Sequence, residues 1–103
     1  AMKVILAAGF IDAEEALRLG LVAEVVPAPD TIERARTLAT KIAGMPPLAA
    51  RVAKKTILQA YDTHLSAGLD YERKSNLSLY PSADKAEGIA AFLEKRKPNW
   101  QGK

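Results

Sequence analysis

The sequence of 103 residues has no cysteine, one histidine, two phenylalanines and one tryptophan. Without cysteine there is no disulfide framework and no thiolate metal site, and one histidine cannot build a histidine cluster, so a metal enzyme is not expected. A strong excess of either charge is lacking too. Lys+Arg 15 against Asp+Glu 12 leave a net charge of +3, and that mild excess collects in Lys95, Arg96, Lys97 and Lys103 as a basic tail on a balanced chain. The apolar run Val4 to Ala8, matched in length only by Ile89 to Leu93, falls far short of the roughly 20 residues that span a bilayer, and no signal-peptide layout opens the chain. These absences predict a cytoplasmic protein without a membrane partner. What is present is alanine: 19 of the hydrophobic residues are Ala, a lean composition that favours helix. The length admits at most one small domain.

The apolar stretch Ala1 to Ala8 has no capping residue before it, so a helix there would start inside an element, as in a fragment of a longer chain. Asp12 followed by Glu15 has the spacing of a capping box, and Gly20 follows Leu19 where a C-terminal cap belongs, predicting a helix over 13–19. Leu21 to Val26, β-branched and closed by Pro27, suits one short strand. Ile32, Ala35, Leu38, Ala39 and Ile42 predict a helix ending at Gly44, and Leu48, Val52, Ala53, Ile57, Leu58 and Tyr61 predict another that opens with Pro47 in its first turn. A third, from Thr63 to about Leu79, has sparse apolar positions. A last one starts near Ser82 or Asp84, with Ala86, Ile89, Ala90 and Leu93 in one stripe widened by Phe92, and Pro98 limits it. The tail from Asn99 reads as extended. The fold class is therefore mainly α, about five helices with one short strand.

No nucleophile elbow, phosphate-binding loop, dinucleotide-binding glycine pattern or zinc-protease helix occurs. Glu14 and Glu15 would make a poor acid/base pair, because adjacent helix residues point about 100° apart; both carboxylates suit the positive end of a helix dipole instead. His64 has Asp62 nearby but no serine or cysteine to activate, which favours a surface histidine. The run Lys95-Arg-Lys97 closes a helix, where cations suit the dipole and can also hold a phosphate. Only Trp100 lies beside it as a stacking group, and no nucleic-acid-binding signature accompanies it. The alternative of a free-standing basic helical module for nucleic acid or a protein partner rests on this run alone.

Several stretches, in this order, resemble the crotonase superfamily, the enoyl-CoA hydratase/isomerase family. They are Ala1-Met-Lys-Val-Ile-Leu6, Ile11-Asp-Ala-Glu-Glu-Ala-Leu-Arg-Leu-Gly-Leu-Val22 with Val25-Val-Pro27, Ala43-Gly-Met-Pro-Pro-Leu-Ala49 with Ala53-Lys54, and Glu87-Gly-Ile-Ala-Ala-Phe-Leu-Glu-Lys-Arg-Lys-Pro98. The Gly-Leu-Val element and the Glu-Gly ending are the specific ones. The resemblance implies the C-terminal helical region of that fold: 1–27 as the end of the core, 28–98 as the region that packs subunits into trimers or hexamers, and 99–103 as a tail. It also implies acyl-CoA as substrate, no cofactor, no nucleic acid, and an oxyanion hole and acidic catalytic residues in an upstream part of a longer chain. No catalytic residue is then expected here, and the chain alone should be inactive. Lys95 matches the first lysine of the ending motif and is the expected contact to a CoA phosphate. Where some members stack an aromatic residue on the adenine, this chain has Asn76, and that contact is not expected. Ala7-Ala-Gly-Phe10 also departs from the family's Thr-Gly-polar-basic series.

Overall fold

The computed structural model describes residues 2–103, the side chain of Lys3 apart, so the first residue of the opening apolar stretch, Ala1, lies outside the described residues. Among the described residues six α-helices follow in order, α1 (Met2–Leu6), α2 (Ala13–Arg18), α3 (Thr31–Ala43), α4 (Pro47–Gln59), α5 (Leu65–Ser78) and α6 (Ala83–Leu93), with a 3-10 turn at Ala28–Asp30 before α3. They form two compact units, one ending at Thr37 and one over Leu38–Lys103, and α3 runs from the first into the second.

In the first unit the sequence punctuation acts as its chemistry requires. Asp12 has an extended backbone and its carboxylate accepts the Glu15 N–H at 2.7 Å, which satisfies one of the unpaired donors of the first turn of α2. Glu15 pairs with Arg18 at 3.4 Å. At the other end Gly20 has φ +74. Its N–H reaches the Leu17 carbonyl at 3.0 Å, and the Leu21 N–H reaches that of Ala16 at 2.9 Å. This pair of bonds is the Schellman closure. A related left-handed turn ends α1, where Ala8 has φ 48 and the Gly9 N–H bonds the Val4 carbonyl at 3.2 Å.

The expected strand over Leu21–Val26 does not form: these residues are irregular, and no strand occurs among the described residues. A strand exists only as half of a hydrogen-bonded pair, and no other strand occurs among the described residues to pair with it. The Leu21 and Val22 N–H groups turn back to the Ala16 carbonyl, and Glu24 takes Arg34 of α3, whose Nε lies 2.7 and 2.9 Å from its two carboxylate oxygens.

In the second unit Pro47 sits in the first turn of α4, where its missing N–H costs no bond. The short link to α5 folds the two helices into an antiparallel pair. Ala49, Val52, Ala53 and Thr56 of α4 face Glu72, Ser75 and Asn76 of α5 across a shallow groove, and the small side chains on the α4 side let the helices lie close. At the link, the Thr63 hydroxyl donates to the Gln59 carbonyl at 3.0 Å. No helix among the described residues is long and apolar enough to cross a membrane.

Candidate functional site

Helix α6 opens on Ser82, whose hydroxyl oxygen accepts the Lys85 N–H at 3.2 Å. The apolar stripe read from the sequence is not its covered face. Ile89, Phe92 and Leu93 stay 53%, 83% and 73% exposed, whereas Asp84 and Ala91 are the buried residues, at 3% and 2%. Asp84, Glu87, Gly88 and Ala91 recur at three- and four-residue steps and so share one face of the helix. What covers that face is the tail.

After Leu93 the chain closes the helix and reverses. Lys95 has φ 55; its N–H bonds the Phe92 carbonyl at 3.3 Å, and the Arg96 N–H bonds that of Ala91 at 3.0 Å. The tail then runs back along α6 from its end to its start. The Asn99 N–H donates to Glu87 at 2.7 Å, the Gln101 and Gly102 N–H groups donate to the two Asp84 oxygens at 2.6 and 3.0 Å, and the Ala83 N–H donates to the Lys103 carbonyl at 2.8 Å. Trp100 lies against Gly88, where an added Cβ would stand 3.2 Å from the indole, and its Nε1–H donates to the Gly44 carbonyl at 2.8 Å. A buried carboxylate is costly unless its lone pairs are used; the two tail amides use those of Asp84.

Arg96 fixes the reversal. Its guanidinium makes the two-pronged bond to Glu87, at 2.6 and 2.9 Å, reaches Glu94 at 2.6 Å and donates to the Lys97 carbonyl at 3.3 Å. These bonds, with the Asn99 N–H second, hold the Glu87 carboxyl well below its ordinary value, at about 2, and raise Arg96, through Glu87 first and Glu94 next. The basic run is therefore divided: Arg96 is neutralised by two carboxylates, while Lys95 and Lys97 are exposed and have no ionic partner among the described residues.

The other sequence candidates lie elsewhere. Glu14 and Glu15 occupy the first turn of α2, where Asp12 is the cap and the Glu15 carboxylate pairs with Arg18. His64 is exposed at the start of α5 without a side-chain capping bond, beside Thr56, Thr63 and Glu72. Asn76 lines a groove of about 310 Å³ with Leu48, Tyr80 and Lys85, in which the Lys85 ammonium stands 3.1 Å from the Tyr80 ring centroid. Lys95 lines none of these grooves. Asp70 on α5 carries Lys74 and Arg73, which in that order lower its pKa. No group of three acidic, histidine or cysteine side chains poised for a metal occurs among the described residues.

Sequence reasoning missed the roles of Asp84 and Glu87. No local signal marked them: a first-turn aspartate and a mid-helix glutamate are ordinary on a solvated helix face, and the groups that engage them, Arg96 and the main chain of the tail, lie 9 to 18 residues farther along.

The enoyl-CoA hydratase/isomerase family model matches residues 1–103. A probable enoyl-CoA hydratase of Mycobacterium bovis is 47% identical over 100 residues, covering 97% of this chain and 39% of its own length. The 2,3-dehydroadipyl-CoA hydratase of Escherichia coli K12 is 41% identical over 103 residues, covering 100% and 40%. A solved enoyl-CoA hydratase of Bacillus anthracis superposes with a TM-score of 0.89 at 37% identity, over 98% of this chain and 40% of its own. The chain thus spans about two fifths of the length of the curated relatives it matches. On a match across its whole length, the chain belongs to the enoyl-CoA hydratase/isomerase family.

Proposed function

We propose that this chain is the C-terminal helical portion of an enzyme that acts on acyl-CoA thioesters through an oxyanion-stabilised enolate, and that its own contribution is subunit packing and a grip on the nucleotide end of CoA. Residues 1–27 would end the catalytic core, 28–98 would form the packing region of a trimer or hexamer, and 99–103 the tail. The family match over residues 1–103 supports the activity. Ile89, Phe92 and Leu93, left exposed on α6, support a surface that another subunit covers. By itself the chain has no hydratase activity, since the oxyanion hole and the proton-transferring carboxylates would belong to residues beyond it.

The observation that carries the CoA contact is the division of the basic run. With Arg96 engaged by Glu87 and Glu94, Lys95 stands at the end of α6 with its ammonium free to hold a phosphate through charge-assisted bonds. The test is Lys95→Ala in the intact enzyme, comparing an enoyl-CoA with the matching enoyl-pantetheine thioester, which lacks the nucleotide. The preference for the CoA substrate in kcat/KM should fall about tenfold, the loss of one charge-assisted contact. An unaltered preference would refute the phosphate contact. The isolated chain mixed with crotonyl-CoA should give no decline in enone absorbance; steady turnover would refute its inactivity.

A further inference from the structure

We infer that Glu87 is a positioning residue for Lys95, acting through Arg96 and the tail: the Glu87–Arg96 fork holds the left-handed turn at Lys95 and so aims the lysine at its phosphate. This rests on the reading of Lys95 as the CoA contact and goes beyond it by naming what sets the lysine's geometry.

Three observations carry it. Lys95 has φ 55, a backbone conformation in which a side chain costs about 1–2 kcal/mol relative to the right-handed region, and which glycine adopts freely. A lysine there is retained only where its surroundings over-determine the turn. Next, the residue directly after the strained one is Arg96, which is tied by two prongs to Glu87 more than two helical turns earlier and by a third bond to Glu94. A fork of this kind fixes orientation as well as distance. Last, Glu87 also takes the Asn99 N–H, so the carboxylate that holds Arg96 anchors the returning chain three residues later. Lys95 lies at the start of a reversal that is pinned at two points to one side chain. Asp84, bonded to the Gln101 and Gly102 N–H groups, extends the same rail but touches the chain farther from Lys95.

The experiment uses the intact enzyme with Lys95→Ala, Glu87→Gln, Arg96→Lys and the double variant Lys95→Ala/Glu87→Gln. Glu87→Gln keeps the shape and one acceptor for Asn99 while removing the ionic fork, and Arg96→Lys keeps the charge while removing the second prong, so both are mild for folding. The readout is again the kcat/KM preference for enoyl-CoA over enoyl-pantetheine, which a merely structural loss would leave unchanged by lowering both substrates alike. Glu87→Gln and Arg96→Lys should each reduce the preference about threefold to fivefold. The double variant should be no worse than Lys95→Ala alone, because Glu87 then has nothing left to position. If Lys95→Ala lowers the preference while Glu87→Gln and Arg96→Lys leave it intact, or if Glu87→Gln lowers it further in the Lys95→Ala background, the positioning role is overturned and the phosphate contact stands. If Lys95→Ala itself has no effect, the phosphate contact falls first.

Discussion

Helices α2 and α6 end with the same pair of hydrogen bonds and the same left-handed residue, yet one uses Gly20 and the other Lys95. At Gly20 nothing lies within 4 Å of the point where a Cβ would stand, so backbone conformation alone selects the residue, and the choice is the relaxed one. At Lys95 the same conformation is occupied by a side chain that raises its cost. The difference separates two reasons for a turn: one closes a helix, and the other closes a helix while presenting a cation at its negative end. The strain at Lys95 is balanced by the bonds of Arg96 to Glu87 and Glu94; Gly20 needs no such brace.

The contrast is most directly broken at Gly20. Gly20→Ala should destabilise the intact protein by about 1 kcal/mol, read as a lower urea midpoint with an unchanged slope. A neutral result would mean that α2 ends differently in solution. Ala8, with φ 48, is the same experiment reversed: Ala8→Gly should stabilise by somewhat less than about 1 kcal/mol, since α1 is short and its end frays. Lys95→Gly sharpens the comparison further. Relief of the left-handed strain is partly offset by the loss of a cation from the helix C-terminus and by the greater freedom of an unfolded glycine, leaving a gain of about 0.5 kcal/mol. That more stable variant should show the same lowered preference for CoA as Lys95→Ala. Stability and recognition moving in opposite directions would identify the lysine as retained for its ammonium; moving together, they would remove that distinction.

These ends also show how far the sequence could be read. Asp12, Gly20, Pro47 and Ser82 announced helix boundaries because their effects are local, set by a bond or a φ within a few residues. Leu21 to Val26 misled because β-branched composition states a preference that only a pairing partner realises, and no strand occurs among the described residues to provide one. The basic run was visible, but three cations in sequence look equivalent; what distinguishes Arg96 from Lys95 is a carboxylate more than two helical turns before the arginine. The left-handed turn at Lys95 had no glycine to mark it. Asp84 was legible as a first-turn acid and not as a buried anchor, because its donors are the main-chain groups of Gln101 and Gly102, which carry no sequence signature.

The brace at Lys95 has a pH signature that the end of α2 lacks. Arg96 foremost, then the Asn99 N–H, depress the Glu87 carboxyl from its ordinary 4.5 to about 2. A depressed acid stabilises the folded arrangement fully above its unfolded value, and that contribution is lost as pH falls toward the folded one. The window therefore runs from 4.5 down to about 2, and nothing changes near neutrality. Trp100 is the single tryptophan of the chain and is docked on Gly44 and Gly88 by the same tail, so its emission should report the release of the tail, red-shifting as the indole meets water. In Glu87→Gln the titrating group is gone, and the difference between the native and variant emission curves should be confined to that window. A difference centred at or above 4.5 would show that Arg96 does not hold Glu87 in solution, and the turn at Lys95 would then have to be braced by the bond from Arg96 to Glu94 alone.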